Sequence, residues 1–470
     1  MNRELHTVDS GNGASMPSRA LVVGMGVSGQ SVCELLLRNG ARVTATDLRS
    51  REQFNGALDR LEAMGCSLRL GRHLSDDFLG ADQIIVSPGV PLDLPPLRDA
   101  ARRGIEIVGE LDWAWRHVSV PALAVTGTNG KTTTTSLIGE MLKASGKRVF
   151  VGGNIGTPLS RWILDGGDAD VLVLEVSSFQ LDTSSKFRPE VGVLLNITED
   201  HLDRYESFFD YADSKFSLFS RQSSDQVAVI NGDDPLCRAM LCRAGRGALP
   251  GRLLIAGRNE EGANATLRGR EAVVNIPGKD SFSLTLERSA LKGVHNEENI
   301  LAAVLAASSM EASPSAMQEV IDRYKGLPHR VEWVGTWKGV EFYDDSKGTN
   351  VGAVVKALEN FDRPVLLLLG GKDKLGAYAP LEEPLKARGK AALAFGEAAP
   401  RIQRELQSWL PTSSFENLEQ VFKEAVARAT PGDVVLLSPA CSSFDQYVSY
   451  AQRGDHFKKL VREQTVSSEQ

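Results

Sequence analysis

Short apolar runs and amphipathic segments alternate along almost the whole chain. Residues 20–23, 171–174 and 365–369 are apolar at every position, and a glycine or a carboxylate follows each run. Such runs are typical of strands buried on both faces of a parallel sheet, while the segments between them have helical periodicity. The pattern therefore predicts an α/β fold.

The alternation recurs in three stretches, which we interpret as three domains. Residues 17–112 and 327–470 are each expected to be Rossmann-like. Residues 113–326 are expected to form a P-loop-type central ATPase domain with a parallel sheet. Within these stretches the pattern also predicts a helix over 50–64 and a strand-rich insertion over 253–286.

The first apolar strand leads into a G-x-G-x-x-G turn over 24–29, and Asp47 follows about twenty positions on, as in dinucleotide-binding folds. A second strand ends at Ser87-Pro-Gly89, and ligands of open α/β sheets bind at such strand ends. The same turn serves any pyrophosphate. Since a hydride-transfer enzyme has no need of the second phosphate loop described next, we favour a nucleotide-linked substrate over NAD.

A second glycine-rich turn follows the apolar strand that begins at Ala122. Its sequence is Gly127-Thr128-Asn129-Gly130-Lys131-Thr132-Thr133, and a helical segment continues from it. Backbone N–H groups in such a loop surround phosphates, a lysine reaches the β- and γ-phosphates, and a hydroxyl binds Mg²⁺. Val125 stands where the usual first glycine belongs. The loop nevertheless predicts binding of ATP or a close relative.

Further polar residues follow the neighbouring strands of the central stretch. Glu175 ends an apolar strand and resembles a Walker B carboxylate, which binds Mg²⁺. Asn154 lies in another glycine-rich turn, and His201 lies within an acidic cluster that suggests a second metal or a substrate contact. The pattern alone makes Lys215 an ordinary surface lysine. In the last stretch, polar residues again gather at strand ends: Asp345, Lys347, Thr349, Lys374 and Ser443.

Composition excludes several classes of protein. The chain has 470 residues, 42% hydrophobic and 24% charged, with a formal net charge of −7 that argues against nucleic-acid binding. Five cysteines without zinc-like spacing fit reduced thiols in the cytoplasm. Because no apolar run approaches the ~20 residues of a membrane span, we expect no membrane insertion. Residues 1–17 have no signal-peptide pattern and are expected to be a disordered tail.

With these residues in place, the chain resembles the Mur ligase family of bacterial peptidoglycan synthesis over about residues 21–461. The resemblance rests on TGTNGKT (126–132), EVSSFQL (175–181), NITEDHLDRY (196–205) and LPHR (327–330). DSKGTN (345–350) and SPACSSFDQ (438–446) are similar to the branch that adds D-glutamate. Leu48 departs from relatives that carry a hydroxyl residue beside the uracil, which leaves Asp47 as the clearer uracil contact.

The resemblance implies ATP-dependent amide synthesis in the cytoplasm, by a monomer that acts on UDP-N-acetylmuramoyl-L-alanine and D-glutamate through an acyl phosphate. It implies two Mg²⁺ ions, held by Thr132, Glu175, His201 and a carbamylated Lys215, with Lys131 also catalytic. The ATP contacts would include Asn299, Arg330, Asp345 and Lys347 beside the phosphate loop. The UDP-muramoyl contacts would be Gly26, Val27, Ser28, Asp47, Ser87, Gly89, Asn154 and His201. The D-glutamate contacts would be Asp200, Thr349, Lys374, Ser443, Phe444 and Tyr450.

Three alternatives stay open at this point. A folylpolyglutamate synthetase would share the central chemistry, but folyl enzymes lack this first nucleotide-binding domain. A redox enzyme would use the turn at Gly24 for NAD and would bind NADH in a spectral titration. A non-enzymatic nucleotide switch would bind nucleotide without releasing phosphate when amino acids are added.

Overall fold

The computed structural model describes residues 16–54, 56–200, 204–245, 249–260, 262–373 and 377–466. The chain divides into two compact units. The first unit comprises residues 16–197, 204–287 and 298–321, and the second comprises residues 198–200, 288–297 and 322–466 within the described ranges. The fold is of the predicted class: α/β with largely parallel sheets in three domains.

The first sheet lies in the first unit and has the strand order β3-β2-β1-β4-β5 among the described residues. All of its pairings are parallel. Its strands are β1 (Arg19–Val23), β2 (Arg42–Asp47), β3 (Ser67–Leu70), β4 (Gln83–Val86) and β5 (Glu106–Gly109). The helices in this part are α1 (Val27–Arg38), α2 (Asp59–Ala63), α3 (Ser75–Leu79), α4 (Pro95–Arg102) and α5 (Glu110–Trp115).

The helix predicted over 50–64 was wrong as a single element. The structure has a 3₁₀ turn at Arg51–Phe54 and then the short helix α2. Gly56 lies between them at φ +78°, in the left-handed region that a right-handed helix cannot contain. The chain therefore breaks at this glycine.

The second sheet also lies in the first unit, with the order β14-β13-β12-β11-β10-β9-β6-β8-β7 among the described residues. Its strands are β6 (Ala122–Thr126), β7 (Val149–Gly153), β8 (Val171–Glu175), β9 (Val191–Leu194), β10 (Val227–Asn231), β11 (Arg252–Ala256), β12 (Ala265–Arg268), β13 (Glu271–Val274) and β14 (Phe282–Thr285). The helices are α6 (Lys131–Ala144), α7 (Leu159–Leu164), α8 (Ser178–Asp182), α9 (Phe208–Phe216), α10 (Pro235–Ala244), α11 (Val294–Ser309) and α12 (Pro314–Arg323).

The parallel and the antiparallel strands of this sheet differ in how deeply their residues are buried. The strands β6 and β8 are buried at every residue, as expected for parallel strands covered on both faces. The stretch 253–286 is strand-rich, as predicted: β11 continues the parallel part of the sheet, and β12–β14 pair antiparallel. Residues along β13 and β14 alternate between more and less buried, as in strands with one solvated face.

The third sheet lies in the second unit, with the order β15-β16-β20-β17-β18-β19 among the described residues. Its strands are β15 (Glu332–Trp337), β16 (Val340–Asp344), β17 (Val365–Gly370), β18 (Gly389–Phe395), β19 (Thr412–Phe415) and β20 (Val434–Leu437). The helices are α13 (Val351–Leu358), α14 (Glu382–Arg388), α15 (Ala399–Leu406), α16 (Leu418–Arg428) and α17 (Tyr450–Val466). Among the named strands of this sheet in the described residues, the edge pair β15–β16 is the only antiparallel one. No helix in the described part of the chain is long and apolar enough to cross a membrane.

Candidate active site

The phosphate loop connects β6 to the N-terminus of α6, as its sequence predicts. Gly130 precedes α6 at φ +84°, a conformation that favours glycine. A Cβ atom at this position would lie 2.3 Å from Oδ1 of Asn299, which is buried. The predicted ATP residue Asn299 is thus packed directly against the loop.

A residue that the sequence did not single out, Asn196, holds the loop in shape. Its Oδ1 accepts a hydrogen bond from the backbone N–H of Asn129 at 2.8 Å, and its Nδ2 donates to the Asn129 carbonyl at 3.0 Å. The backbone N–H of Thr128 donates to the Asn196 carbonyl at 2.9 Å. The signal in the sequence was a polar residue directly after the apolar strand run of β9.

Lys131 is the first residue of α6, and its ammonium group lies against the phosphate loop. Nζ donates to the carbonyl of Gly127 at 2.9 Å and to the carbonyl of Thr128 at 2.8 Å. The loop therefore carries a cation at the helix N-terminus, where phosphate binds in such folds. Thr133, also predicted to bind ATP, is buried in the first turn of α6.

The carboxylate of Glu175 ends β8 and is 2% exposed. Its Oε2 accepts a hydrogen bond from Oγ1 of Thr132 at 2.7 Å, and its Oε1 accepts one from Nδ2 of Asn154 at 2.8 Å. The structure thus brings together three residues predicted from separate motifs. A hydroxyl beside a carboxylate is a donor set of hard oxygens, which suits Mg²⁺.

Lys215 is not the surface residue that the pattern alone suggests. It lies on α9 and is 2% exposed. Its Nζ donates to the Gly127 carbonyl at 3.0 Å and lies 4.5 Å from the centre of the Tyr211 ring. Burial costs an ammonium group its hydration energy, so a lysine at this depth is unusual. Its position beside the phosphate loop makes it a candidate site residue.

A pocket of about 580 Å³ lies beside these residues in the first unit. It is formed by the turn after β1, the ends of β2 and β4, and the loop after β7. Seven residues predicted to bind the UDP-muramoyl substrate line it: Gly26, Val27, Ser28, Asp47, Ser87, Gly89 and Asn154. Asn154 thus faces this pocket and also bonds to Glu175.

The carboxylate of Asp47 organises one wall of the pocket. Oδ2 accepts from the Met25 backbone N–H at 2.7 Å, and Oδ1 accepts from the Arg49 backbone N–H at 2.9 Å. The Arg49 guanidinium donates to both oxygens, at 3.0 Å and 2.7 Å. Burial raises the pKa of Asp47, but the hydrogen bonds from Arg49 and Met25 outweigh it and leave the pKa below its ordinary value. Asp47 is therefore ionised, and Arg49, which sequence reasoning missed, lines the pocket with it.

Arg204 holds the turn after β4, and sequence reasoning did not find it although it lies within a quoted motif. Its guanidinium donates to the carbonyls of Gly89 at 3.0 Å and Val90 at 2.7 Å, and it lies 4.2 Å from the centre of the Phe179 ring. The turn that carries Gly89 is therefore fixed by a side chain from a distant part of the chain.

In the second unit, Asp345 directly follows β16 and is buried. Its Oδ2 accepts from Oγ of Ser438 at 2.6 Å, and its Oδ1 accepts from the Val331 backbone N–H at 3.3 Å. Burial raises the pKa of Asp345 to about 7, although Ser438 and the charge of Arg330 oppose this. Asp345 and Arg330, both predicted to bind ATP, thus act on one another electrostatically.

The guanidinium of Arg453 on α17 is fully buried and joins three strand ends of the third sheet. It donates to Oγ of Ser346 at 3.0 Å, to the Ser346 carbonyl at 2.9 Å, and to the carbonyls of Gly370 at 3.3 Å, Cys441 at 3.2 Å and Ser442 at 3.3 Å. Burial lowers the pKa of Arg453 to about 10. Sequence reasoning missed this residue because nothing local marks it.

Five of the predicted D-glutamate residues lie in the described part of the second unit, at different depths: Asp200, Thr349, Ser443, Phe444 and Tyr450. Ser443 is buried, whereas Phe444 is 69% exposed. Lys347 places Nζ 4.0 Å from the centre of the Tyr450 ring, and the Thr349 backbone N–H donates to the Lys347 carbonyl at 2.8 Å. Asp200 accepts a hydrogen bond from Asn350 at 3.1 Å. His201 and Lys374 lie outside the described residues.

Comparison with known proteins gives one consistent result. Family models match residues 18–109 ("Mur ligase MurD-like, N-terminal domain"), 125–307 ("Mur ligase middle domain") and 329–441 ("Mur ligase, glutamate ligase domain"). A protein of Desulfosudis oleivorans named UDP-N-acetylmuramoylalanine--D-glutamate ligase is 45% identical over 94% of this chain and 96% of its own length.

Solved structures show the same fold at low sequence identity. A pseudomurein peptide ligase type C from Methanothermus fervidus aligns with a TM-score of 0.58 at 19% identity, covering 95% of this chain and 99% of that one. A MurF ligase from Thermotoga maritima in complex with ADP aligns with a TM-score of 0.57 at 19% identity, covering 96% and 95%. With its three domains matched in order and a relative this similar over nearly its whole length, the chain belongs to the Mur ligase family.

Proposed function

We propose that this chain joins D-glutamate to the alanyl carboxyl group of UDP-N-acetylmuramoyl-L-alanine, with conversion of ATP to ADP and phosphate. One observation carries the proposal. Asn154 lines the nucleotide-sized pocket and donates to Glu175, which in turn bonds to Thr132 of the phosphate loop. Phosphoryl transfer from ATP to a substrate carboxylate requires these two sites to be adjacent.

The pocket suggests an orientation for the UDP-linked substrate. The turn after β1 and the N-terminus of α1 offer backbone N–H groups to the diphosphate. The nucleoside lies toward Asp47 at the end of β2, on one side of β1. The muramoyl sugar lies toward Ser87 and Gly89 at the end of β4, on the other side, with its alanyl carboxylate directed to Asn154.

The phosphate loop supplies the charge that the first step needs. The substrate carboxylate attacks the γ-phosphorus of ATP while the bond to ADP breaks, so two anions must approach each other. Lys131 leaves the loop carbonyls to which it is bonded and neutralises the phosphates. Thr132 and Glu175 would hold Mg²⁺, which fits their oxygen atoms and supplies charge neutralisation when bound. The amine of D-glutamate then attacks the acyl carbon, and phosphate leaves.

We assign Asn299, Arg330, Asp345 and Lys347 to ATP. For D-glutamate we assign Asp200, Thr349, Lys374, Ser443, Phe444 and Tyr450. The exposed ring of Phe444 supports a role that begins only when a ligand covers it, since a ring this exposed contributes little to the core.

We further propose that Lys215 carries a carbamate and, with His201, holds a second Mg²⁺. The support is that Lys215 is buried beside the phosphate loop. Addition of CO₂ to its amine would replace a buried cation by a carboxylate-like ligand. We also propose that the protein acts as a monomer in the cytoplasm, where nucleotide-linked precursors and ATP are present.

The proposal is tested by measuring phosphate release from ATP with UDP-N-acetylmuramoyl-L-alanine, adding amino acids one at a time. We expect release with D-glutamate and none with L-glutamate, L-alanine or a diamino acid. Lys131→Ala, with its fold checked by circular dichroism, is the matched negative control. Release with another amino acid would refute the D-glutamate assignment, and no release with any of them would refute the ligase function.

A further inference from the structure

His73 lies on the loop after β3 and lines the same pocket as Asp47 and Arg49. Its ring Nδ1 is 2.8 Å from Oγ1 of Thr46, the penultimate residue of β2. The ring also meets Phe78 edge to face, with centroids 5.7 Å apart. Its position is therefore fixed by one hydrogen bond and one aromatic contact.

The bond to Thr46 uses one ring nitrogen and leaves the other for a ligand. The Thr46 hydroxyl has the Arg72 carbonyl at 3.3 Å as a second partner. The hydroxyl can donate to Nδ1, which leaves a proton on Nε2. Alternatively it donates to Arg72 and accepts from Nδ1, which leaves Nε2 as an acceptor. No hydrogen bond to Nε2 comes from the described residues. Burial lowers the pKa of His73, despite the opposing charge of Asp47, so the ring is neutral near pH 7.

Sheet order decides which part of the substrate His73 meets. The phosphate-binding turn follows β1, the acidic residue of the nucleoside site ends β2, and β3 lies beyond β2. A residue after β3 is thus farther from the diphosphate than Asp47 is, on the side of the base. Uracil presents one N–H group between two carbonyl groups on its edge, so it can bond to either form of Nε2.

We propose that His73 is a recognition residue for the uracil base, with Nε2 bonded to the edge of the base and Nδ1 held by Thr46. This inference rests on the proposed function, since it takes the UDP-linked compound as the ligand. It adds a specificity-determining contact to those expected from the glycine-rich turn and Asp47.

Three substitutions separate recognition from a structural role. His73→Asn places an amide near the position of Nδ1 and keeps the bond to Thr46, but it removes Nε2. His73→Gln places an amide nitrogen near the position of Nε2. His73→Phe keeps the ring and its contact with Phe78 but removes both nitrogens. One neutral hydrogen bond corresponds to a change of up to about tenfold in affinity.

We expect the KM for UDP-N-acetylmuramoyl-L-alanine to rise about tenfold in His73→Asn and His73→Phe and by less in His73→Gln. The kcat and the KM values for ATP and D-glutamate should stay within about twofold of wild type. The reason is that the loss of one substrate contact made equally in the ground state and the transition state raises only the KM for that substrate. A wild-type KM in His73→Asn, or equal losses in kcat across all three variants, would overturn the proposal. Calorimetric titration with UDP itself, which we expect to show the same order of affinities, tests His73 even if the wild-type protein releases no phosphate. Failure of the ligase function is thereby distinguished from failure of this inference.

Discussion

Replacement of Gly130 by alanine tests whether close packing against Asn299 holds the phosphate loop in its conformation. The added Cβ would lie 2.3 Å from Oδ1 and 3.1 Å from both Cγ and Nδ2 of Asn299. Asn299 is buried, so its carboxamide has no solvent to turn into. Alanine at φ +84° costs about 1–2 kcal/mol by itself, and relief of the overlap adds about 1–3 kcal/mol.

The same helix supplies a matched control for the backbone cost. Gly146 follows the end of α6 at φ +86°, and a Cβ there would meet nothing within 4 Å. Gly146→Ala should therefore lose only about 1–2 kcal/mol and keep the wild-type KM for ATP. Gly130→Ala should lose more and raise the KM for ATP, because the loop must move away from Asn299. Urea unfolding and phosphate release measure the two effects.

A double-mutant cycle isolates the contact. Asn299→Ala removes all three atoms that the new Cβ would meet, so Gly130→Ala should cost less free energy of unfolding in that background by about 1–3 kcal/mol. Equal losses of unfolding free energy in Gly130→Ala and Gly146→Ala would contradict this reasoning. Additive effects of Gly130→Ala and Asn299→Ala in the cycle would likewise show that Asn299 does not hold the loop in its conformation.

Three further predictions concern buried charges. Arg453→Met should lower the free energy of unfolding by at least about 3 kcal/mol, because each buried carbonyl left without its donor costs about 1–3 kcal/mol. Urea unfolding measures this change, and a loss of less than about 1 kcal/mol would contradict the prediction. The pKa of Asp345 is raised to about 7 from 3.8, so its contribution to stability is full below pH 4 and is lost as the pH rises to 7. Between pH 4.5 and 7, wild type should lose more stability than Asp345→Asn, and equal losses in the two proteins would be inconsistent with a buried protonated carboxyl group. Lys215→Ala should lose phosphate release, and added short carboxylates should restore part of it; an absence of rescue would count against the carbamate.

Sequence reasoning found the pocket and the phosphate loop because their residues follow strands directly. In a parallel sheet all strands end at one edge, so Gly26, Asp47 and Ser87 could be placed together without coordinates. Asn154 follows a strand of the second sheet, and only the family resemblance grouped it with them. The same argument paired Thr132 with Glu175, which are neighbours through β6 and β8. The helix over 50–64 was wrong because apolar periodicity continues through Gly56, whose backbone conformation ends the helix.

Three residues that sequence reasoning missed, Asn196, Arg204 and Arg453, share a physical property: their partners are backbone atoms far away in the chain. Asn196 bonds to the backbone of a residue 67 positions earlier, and Arg453 bonds to the carbonyl of a residue 107 positions earlier. Every residue has a backbone carbonyl group, so the type of residue at the accepting position does not indicate that its carbonyl accepts such a bond. The bond does constrain the donor, because only a long side chain with several N–H groups can satisfy separate carbonyls at once. The phosphate loop and the strand ends of the third sheet are thus held by side chains that only the folded chain identifies.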